Sequence, residues 1–297
     1  IEEPRKKQKF VYSINHIPND IDDMGLSCWR ETQFDTTRSF DNIFFDGKSE
    51  IINSINFFIN NKSWYYEKGI PYTLGIGLHG PPGTGKTSFI KALAKLTERH
   101  IVVLPLKLIK TKRQLYQLFF EDRYNADNKS KSINFDNKII IFEDIDCIGD
   151  IVLDRKNKKT IEPPRPKLDG TPDGISNIIS LPPLEPLITL DDILNLFDGI
   201  EETPGRILVL TSNRYDELDP ALRRPGRINI THKLGNASHN TISEIYSLLF
   251  NQNINETELL KIKEDLYSPA ELVGFYVLHK DTTSYMTRLL LNKKEKL

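Results

Sequence analysis

The chain is poor in cysteine, carries almost no net charge and contains no long hydrophobic run. It has two cysteines, Cys28 and Cys147, in 297 residues. Two thiols exclude a disulfide framework and a four-cysteine zinc site, and such low cysteine usage fits a reducing compartment. The formal net charge of −1 excludes a general basic surface of the kind that drives non-specific nucleic-acid binding. The apolar runs are strand-sized, well short of the ~20 residues that span a bilayer.

The start of the chain shows no signal-peptide pattern. It begins at Ile1, and charged residues dominate the first ten positions. A secretory leader would need an apolar stretch here. We therefore expect a processed or trimmed piece that contacts a membrane only through a segment upstream of this chain.

Strand-like and helix-like segments alternate through the middle of the chain. The strand-like segments are YTLGIGLHG, HIVVLPL, KIIIFED and RILVLTSN, and the helix-like segments between them are KTSFIKALAKLTE, KRQLYQLFFED and TLDDILNLFDGI. This alternation predicts an α/β fold with a parallel sheet and crossover helices. The strands are almost continuously apolar, which predicts that both faces of the sheet are buried.

The pattern divides the chain into three predicted parts. Residues 1–40 form an N-terminal segment in which KFVYSI reads as a short strand, residues 41–235 form the α/β core, and residues 236–297 form a small helical domain. Residues 149–187 interrupt the core with proline and basic residues and no periodicity. We predict a flexible insertion there, which is either a tolerated surface loop or a loop that contacts a partner.

A glycine-rich loop stands between the first core strand and the helix after it. The residues from Gly80 to Thr87 fit the pattern G-x-x-x-x-G-K-[ST]. Glycines let successive backbone N–H groups point at phosphate oxygens, and the following helix adds the positive end of its dipole. Lys86 then reaches the β- and γ-phosphates and Thr87 offers its hydroxyl to Mg²⁺. The predicted nucleotide-binding residues are Gly80, Pro81, Pro82, Gly83, Thr84, Gly85, Lys86, Thr87 and Ser88.

The strand KIIIF runs directly into acidic residues. Glu143 and Asp144 follow Phe142, which is where a P-loop fold needs one carboxylate near Mg²⁺ and another beside the attacking water. We predict Thr87, Glu143 and Asp144 as the metal-side residues, with Glu143 facing the metal and Asp144 facing the water.

A third polar cluster follows the strand RILVL. Asn213 stands just after that strand, where it would face a γ-phosphate or the attacking water. The segment DPALRRPGR then supplies Arg224 and Arg227. These arginines are either a solvated basic turn or fingers that stabilise charge on a transferring phosphoryl group.

Together these motifs resemble the AAA ATPase family, and WYYEKGIPYTLGIGLHGPPGTGKTSF, ITLDDILNLFDGI, FEDID and SPAELVGFYVLHK are similar to its BCS-type branch. The resemblance implies a doubly wound, parallel five-stranded sheet with a C-terminal helical lid, and residues 1–40 as a remnant of a β-rich module. It implies ATP and Mg²⁺, with Glu143, Asp144, Asn213, Arg224 and Arg227 as catalytic residues. The two arginines would act on the ATP of a neighbouring subunit in a homo-oligomeric ring of six or seven copies, seven if truly BCS-type. A true BCS-type chaperone would reside in the mitochondrial inner membrane, and any other relative in the cytoplasm.

The leading hypothesis is therefore Mg²⁺-dependent ATP hydrolysis that drives remodelling or translocation of a protein substrate. The segment LPLKLIKTKRQ lacks the aromatic-apolar-glycine triplet of peptide-threading rings, which suits folded cargo. One alternative is an ATP-gated scaffold that hydrolyses poorly, because Glu143 and Asp144 stand in the reverse of the Asp–Glu order that most AAA proteins have at this strand end. A second alternative is a clamp-loader-like or helicase-like nucleic-acid motor. The near-zero charge argues against nucleic acid as a partner.

Overall fold

A computed structural model describes residues 8–18, 28–125, 132–149, 151–153 and 187–294. Most of the predicted insertion at 149–187 lies outside these residues. The strands are β1 Lys9–Ile14, β2 Trp29–Phe34, β3 Thr73–His79, β4 His100–Val103, β5 Lys138–Phe142, β6 Arg206–Ser212 and β7 Ile230–Lys233. The helices are α1 Lys48–Asn60, α2 Lys62–Lys68, α3 Lys86–Thr97, α4 Lys112–Phe120, α5 Leu190–Asp198, α6 His239–Phe250, α7 Glu256–Leu259, α8 Pro269–Leu278 and α9 Thr282–Leu290.

All described strands belong to one sheet of seven strands, in the order β2-β1-β4-β5-β6-β3-β7. Every neighbouring pair is parallel except β1 with β2. The predicted α/β class is confirmed, and the five parallel strands from β4 to β7 form its doubly wound core. The sheet has two more strands than the predicted five because β1 and β2 extend its β4 edge.

The sheet is buried on both faces. Alternate residues of β5 point to opposite sides: Ile140 and Phe142 belong to one apolar core, and Ile139 and Ile141 belong to the other. Helices cover both sides, which explains why the strand sequence is continuously apolar instead of alternating with polar residues.

β1 is joined to the core sheet by backbone pairing and by His100. Val11 pairs with Ile101, and the Phe10 N–H donates a hydrogen bond to His100 Nδ1 at 3.0 Å. The Phe10 ring stacks on the imidazole with 5.9 Å between ring centroids. Burial lowers the pKa of His100 to about 4, so the ring is neutral at physiological pH and accepts this bond.

Helix α5 is fixed at both ends by side chains. At its start, Thr189 and Asp192 form a reciprocal capping box. At its end, the buried Arg206 guanidinium donates hydrogen bonds to the carbonyls of Leu196 and Phe197, at 2.6 and 2.9 Å. These bonds satisfy carbonyls that a helix end otherwise leaves without partners. As a result, Asp198 is held at a defined place beside the amino end of β6.

Helices α6 to α9 surround a separate small core. Its buried residues include Tyr267, Leu272, Tyr285 and Leu289. A direct link to the α/β core is the Ser238 hydroxyl, which donates to Asp46 Oδ1 at 2.8 Å. In the parts of the chain that the structure describes, no helix has the length and apolar character needed to cross a membrane.

Candidate functional site

The glycine-rich loop lies at the carboxyl end of β3 and leads directly into α3. Gly80 has a φ of +138°, and a Cβ there would lie 1.9 Å from the Leu234 carbonyl oxygen. Gly85 has a φ of +108° and precedes the first residue of α3. Both positions require glycine, because an L side chain would clash at the first and be strained at both. These glycine conformations direct the loop backbone toward the first turn of α3, and helix starts are places where anions bind.

Lys86 is the residue that ties the loop to the neighbouring strand end. Its Nζ donates to the carbonyls of Gly80 and Pro81, at 2.5 and 3.1 Å, and to Asn213 Oδ1 at 2.9 Å. Burial lowers the pKa of Lys86, and the carboxylates of Asp144 and Asp146 oppose that shift. A cation fixed in this way is poised to exchange these contacts for phosphate oxygens.

The other loop residues surround that cation. Thr84 is buried and its hydroxyl donates to the Pro81 carbonyl at 2.8 Å. Thr87 and Ser88 lie in the first turn of α3. The side chain of Thr87 and the residues Pro81, Pro82 and Gly83 are exposed, so this stretch is open to a ligand.

Glu143 and Asp144 project at the carboxyl end of β5, and both are exposed. Asp144 has a φ of +44° and a ψ of +54°, and its N–H donates to Thr211 Oγ1 at 2.9 Å. Aspartate adopts this left-handed conformation more readily than glutamate. The structure thus gives a physical reason for aspartate at the second acidic position, a reason that the sequence did not reveal.

Asn213 follows β6, between the glycine-rich loop and the acids. Its side chain contacts Lys86, and its N–H donates to Asp146 Oδ1 at 3.2 Å. Asp146 is buried and also pairs with the Arg214 guanidinium, at 3.6 Å. Asp146 therefore fixes the position of the Asn213 backbone. The Glu143 side chain reaches solvent, but partial desolvation at the strand end, and then the charge of Asp144, raises its pKa.

Arg224 and Arg227 lie at the opposite end of the sheet from these groups. The Arg227 carbonyl packs against Gly75, and the Asn229 N–H donates to the Gly75 carbonyl at 2.8 Å. Gly75 precedes Gly80 by five positions along β3, a distance of about 16 Å at strand rise. The structure therefore brings the loop, Glu143, Asp144 and Asn213 together but leaves both arginines away from them.

The two arginines also differ from each other. Arg227 Nε and Nη2 donate to the two carboxylate oxygens of Asp198, at 2.8 and 3.0 Å, and Nη1 donates to the Ala221 carbonyl at 2.7 Å. Arg224 is exposed, and within the described ranges its side chain has no hydrogen bond or ion pair. Arg227 therefore holds the turn of residues 221–227 in place, whereas the Arg224 side chain extends from that turn into solvent.

A cavity of about 450 Å³ adjoins the glycine-rich loop between the core and the helical domain. It is lined by the segment Phe44–Asp46, by Pro81 and Thr84, and by residues of the helical domain such as Thr241 and Pro269. Its position next to the loop suits the base and sugar of a nucleotide. The sequence did not predict this cavity, because its lining comes from segments far apart in the chain.

The donor set suits a hard divalent cation bound together with phosphates. Thr87, Glu143 and Asp144 supply hydroxyl and carboxylate oxygens, and Mg²⁺ prefers one or two carboxylates completed by phosphate oxygens and water. Among residues 8–18, 28–125, 132–149, 151–153 and 187–294, no group of three or more His, Cys, Asp or Glu residues forms a self-sufficient metal cage. The oxygen donors of Thr87, Glu143 and Asp144 fit Mg²⁺ that is bound together with a nucleotide.

A parallel sheet that ends in a phosphate loop, with acids on a nearby strand and a helical domain beside them, defines a P-loop nucleoside triphosphatase. Residues 76–168 match the family described as ATPase family associated with various cellular activities (AAA). The chain belongs to this AAA family, and its enzymatic module is an ATPase that binds ATP.

The relatives agree with this assignment and with the resemblance to the BCS-type branch. The chain is similar to mitochondrial chaperone BCS1 of Homo sapiens, at 31% identity over 239 residues, which cover 78% of this chain and 49% of that protein. It is similar to probable mitochondrial chaperone BCS1-B of Dictyostelium discoideum, at 31% over 245 residues, covering 80% and 51%. It is also similar to the mitochondrial AAA-ATPase ASD of Arabidopsis thaliana, at 30% over 304 residues, covering 94% and 54%. The chain spans about half the length of the curated relatives it matches.

Proposed function

We propose that this chain is the motor part of a homo-oligomeric ring that couples Mg²⁺-dependent ATP hydrolysis to the remodelling or translocation of a protein. The observation that carries the proposal is the Lys86–Asn213 contact at 2.9 Å. It joins the phosphate loop to the end of β6, next to two exposed carboxylates. Phosphate binding and water activation would then share one edge of the sheet.

Each group has a distinct role in this proposal. Lys86 and the loop N–H groups bind the β- and γ-phosphates, and Asn213 orients the attacking water or the γ-phosphate. Thr87 and Glu143 hold Mg²⁺, which neutralises charge on the phosphates when it is bound. Asp144 accepts the proton of the attacking water. Support for this last role is positional: Asp144 is exposed at the carboxyl end of β5, and its N–H donates to Thr211 Oγ1 on the strand that leads to Asn213.

The position of Arg224 supports an assembly of several copies. The Arg224 carbonyl accepts hydrogen bonds from the N–H groups of Arg227 and Ile228, in the turn that packs on Gly75, and Gly75 lies about 16 Å of strand from Gly80. We therefore assign the exposed Arg224 side chain to the nucleotide of a neighbouring copy. On a second copy it would stabilise charge on the transferring phosphoryl group, a role that contributes ~10³–10⁵ in rate. A head-to-tail contact repeated around an axis closes a ring. Six or seven subunits, a protein cargo and a mitochondrial location are proposals that rest on the named relatives.

The experiment is ATP turnover by the purified chain, with Lys86→Ala as the test variant and Lys91→Ala as the control. Lys91 is an exposed lysine of the same helix. We expect Lys86→Ala to lose nucleotide binding and turnover, and Lys91→Ala to match the wild type. Equal phosphate release by Lys86→Ala and the wild type would refute ATP hydrolysis at this site.

Two further variants assign the acids. Asp144→Asn should bind and retain ATP without hydrolysing it, whereas Glu143→Gln should bind nucleotide poorly in the presence of Mg²⁺. The opposite pattern would reverse the two roles. A wild type that binds ATP yet releases no more phosphate than the double variant would favour the ATP-gated scaffold, which the Glu–Asp order brings into consideration.

A further inference from the structure

We propose that His79 and Tyr215 are positioning residues for ATP hydrolysis, because their stacked rings hold the phosphate loop at a fixed distance from Asn213. The inference rests on the proposed role of Asn213, which is to orient the attacking water or the γ-phosphate. Neither ring belongs to the glycine-rich loop or to the acidic end of β5, and the sequence did not predict a role for either residue.

The stack joins the end of β3 to the turn that follows Asn213. His79 is the last residue of β3 and stands directly before Gly80. Tyr215 begins the short 3₁₀ turn Tyr215–Glu217, just after Asn213 and Arg214. The imidazole and the phenol ring are nearly parallel, at 15°, with 4.6 Å between ring centroids, which is the geometry of a stacked aromatic pair. Each ring therefore lies next to a segment of the candidate site.

The Tyr215 ring is held from several sides. It is 5% exposed, and its hydroxyl makes a hydrogen bond with Thr231 Oγ1 on β7, at 3.0 Å. Gly77 of β3 leaves the space for that hydroxyl, because a Cβ at this position would lie 2.8 Å from it. The Arg223 guanidinium lies 5.8 Å from the ring centroid, within the range of a cation–π contact. A ring fixed in this way gives the half-buried His79 a rigid surface to pack on.

Backbone pairing alone does not fix the phosphate loop relative to Asn213. The paired register of β3 and β6 ends at His79 and Ser212. The next bond, from the Gly80 N–H to the Ser212 carbonyl, is 3.4 Å long, which is longer than an ordinary N–H···O hydrogen bond. The two segments therefore separate just where the loop and Asn213 begin, so side-chain contacts set the spacing between them.

The stack is a side-chain contact that nucleotide binding leaves in place. The contact between Lys86 Nζ and Asn213 Oδ1, at 2.9 Å, is weakened when the lysine moves onto phosphate oxygens. The bond from the Asn213 N–H to Asp146 Oδ1 ties Asn213 to the segment after β5 and not to the phosphate loop. The rings of His79 and Tyr215 touch through their faces, where phosphate does not compete. They therefore keep the loop and Asn213 in register during hydrolysis.

The spacing between the loop and Asn213 affects the rate more than the affinity for ATP. A misplacement of about 1 Å between groups that act on the same reacting atoms can cost ~10²-fold in rate. The β- and γ-phosphates are bound by backbone N–H groups of the loop and by Lys86, and the stack supplies neither. We therefore expect loss of the stack to lower kcat and to leave KM for ATP nearly unchanged.

The first test removes the stack at His79 and then restores it. His79→Ala should lower kcat by about 10–100-fold and leave KM within about threefold of the wild type. His79→Phe keeps an aromatic ring and should return kcat to within about threefold of the wild type. His100→Asn is the matched control, because His100 also stacks on an aromatic ring, Phe10, but at the other end of the sheet. This control should leave kcat unchanged.

Variants of Tyr215 test the same contact from its other side. Tyr215→Phe keeps the ring and loses only the bond to Thr231, so kcat should stay within about threefold of the wild type, whereas Tyr215→Leu should match His79→Ala. The double variant His79→Ala/Tyr215→Leu should be within about twofold of the slower single variant, because both substitutions remove one contact. His79 is only half-buried, so its variants decide the question even if Tyr215→Leu is unstable.

A variant of Asn213 shows whether the stack acts through that residue. Asn213→Ala should itself lower kcat. Adding His79→Ala to it should lower kcat by less than about twofold more, because the group that the stack positions is already absent. A second full loss of kcat in the double variant would show that the stack acts on another group and would overturn the proposal.

Amide hydrogen exchange measures the positioning without hydrolysis, in the complex with Mg²⁺ and a non-hydrolysable ATP analogue. His79→Ala should speed the exchange of residues 83–86 and 212–214 by at least ~10-fold, and His79→Phe and His100→Asn should not. Unchanged exchange in His79→Ala, or a kcat equal to that of the wild type, would refute the role of the stack.

Failure of this inference can be told apart from failure of the proposed function. A wild type that releases no phosphate would contradict the proposed hydrolysis, and faster exchange in His79→Ala would still support the role of the stack in holding the loop to Asn213. A wild type that hydrolyses ATP and is impaired by Asn213→Ala but not by His79→Ala would refute this inference alone.

Discussion

Removing the side chain of Arg227 should destabilise the fold, and removing that of Arg224 should not. Arg227 makes a bidentate ion pair with Asp198 and a further hydrogen bond to the Ala221 carbonyl, and its side chain is 14% exposed. The Arg224 side chain is solvent-exposed. The two residues stand three positions apart in one turn, so each is a matched control for the other.

The expected cost follows from these contacts. A hydrogen bond to a charged group contributes ~1.5–3 kcal/mol when buried, but Asp198 is 48% exposed, and solvent weakens its attraction for Arg227. Loss of the partner of the Ala221 carbonyl adds a smaller amount. We expect Arg227→Ala to lower the free energy of unfolding by about 2–3 kcal/mol, which for a chain of this size corresponds to a fall in Tm of about 3–5 °C.

The assay is thermal unfolding followed by circular dichroism in dilute, nucleotide-free solution, where assembly does not contribute to stability. Arg224→Ala should remain within ~0.5 kcal/mol of the wild type, as other exposed substitutions do. Both variants should lose ATP turnover. Equal Tm values for the two variants would refute the view that Arg227 holds the turn and Arg224 projects from it.

Three further predictions concern other parts of the molecule. In urea titrations, the free energy of unfolding should fall by about 2 kcal/mol between pH 7.5 and pH 5, because His100 becomes protonated in the unfolded chain while the buried ring of the folded chain stays mostly neutral. An unchanged pH dependence in His100→Asn would contradict this. Gly80→Ala should abolish the binding of a fluorescent ATP analogue, because its Cβ would lie 1.9 Å from the Leu234 carbonyl oxygen, and wild-type affinity would show that the loop can shift. Chelation of Mg²⁺ should stop turnover until Mg²⁺ is restored, and Thr87→Val should raise the Mg²⁺ concentration required; full turnover in chelator would exclude the metal role.

The sequence predicted those features whose cause is local. The core strands are recognisable because burial on both faces demands continuous apolar residues, as in β5 and β6. The phosphate loop is recognisable because its glycines follow from backbone geometry at Gly80 and Gly85. The predicted helices around α3, α4 and α5 also agree with the structure in place and type.

The sequence did not predict features that depend on contacts between residues far apart in the chain. β7 is short and half polar, and it pairs with β3, so its strand state depends on its neighbour. Within the predicted helical domain, the segment after Asn255 forms only one α-helical turn, α7. The Arg227–Asp198 ion pair joins residues 29 positions apart, and no local pattern announces it.

The position of β1 has a practical consequence for producing the ATPase module. β1 lies between β2 and β4 in the sheet, and it covers the β4 edge with its own backbone. A recombinant fragment that starts at residue 41 would leave the apolar residues Ile101 and Val102 on an open strand edge, which is a template for aggregation. A fragment meant to stay soluble should therefore begin before Lys9. If a shorter fragment aggregates, we expect the cause to be the exposed sheet edge and not a defect in the ATP site.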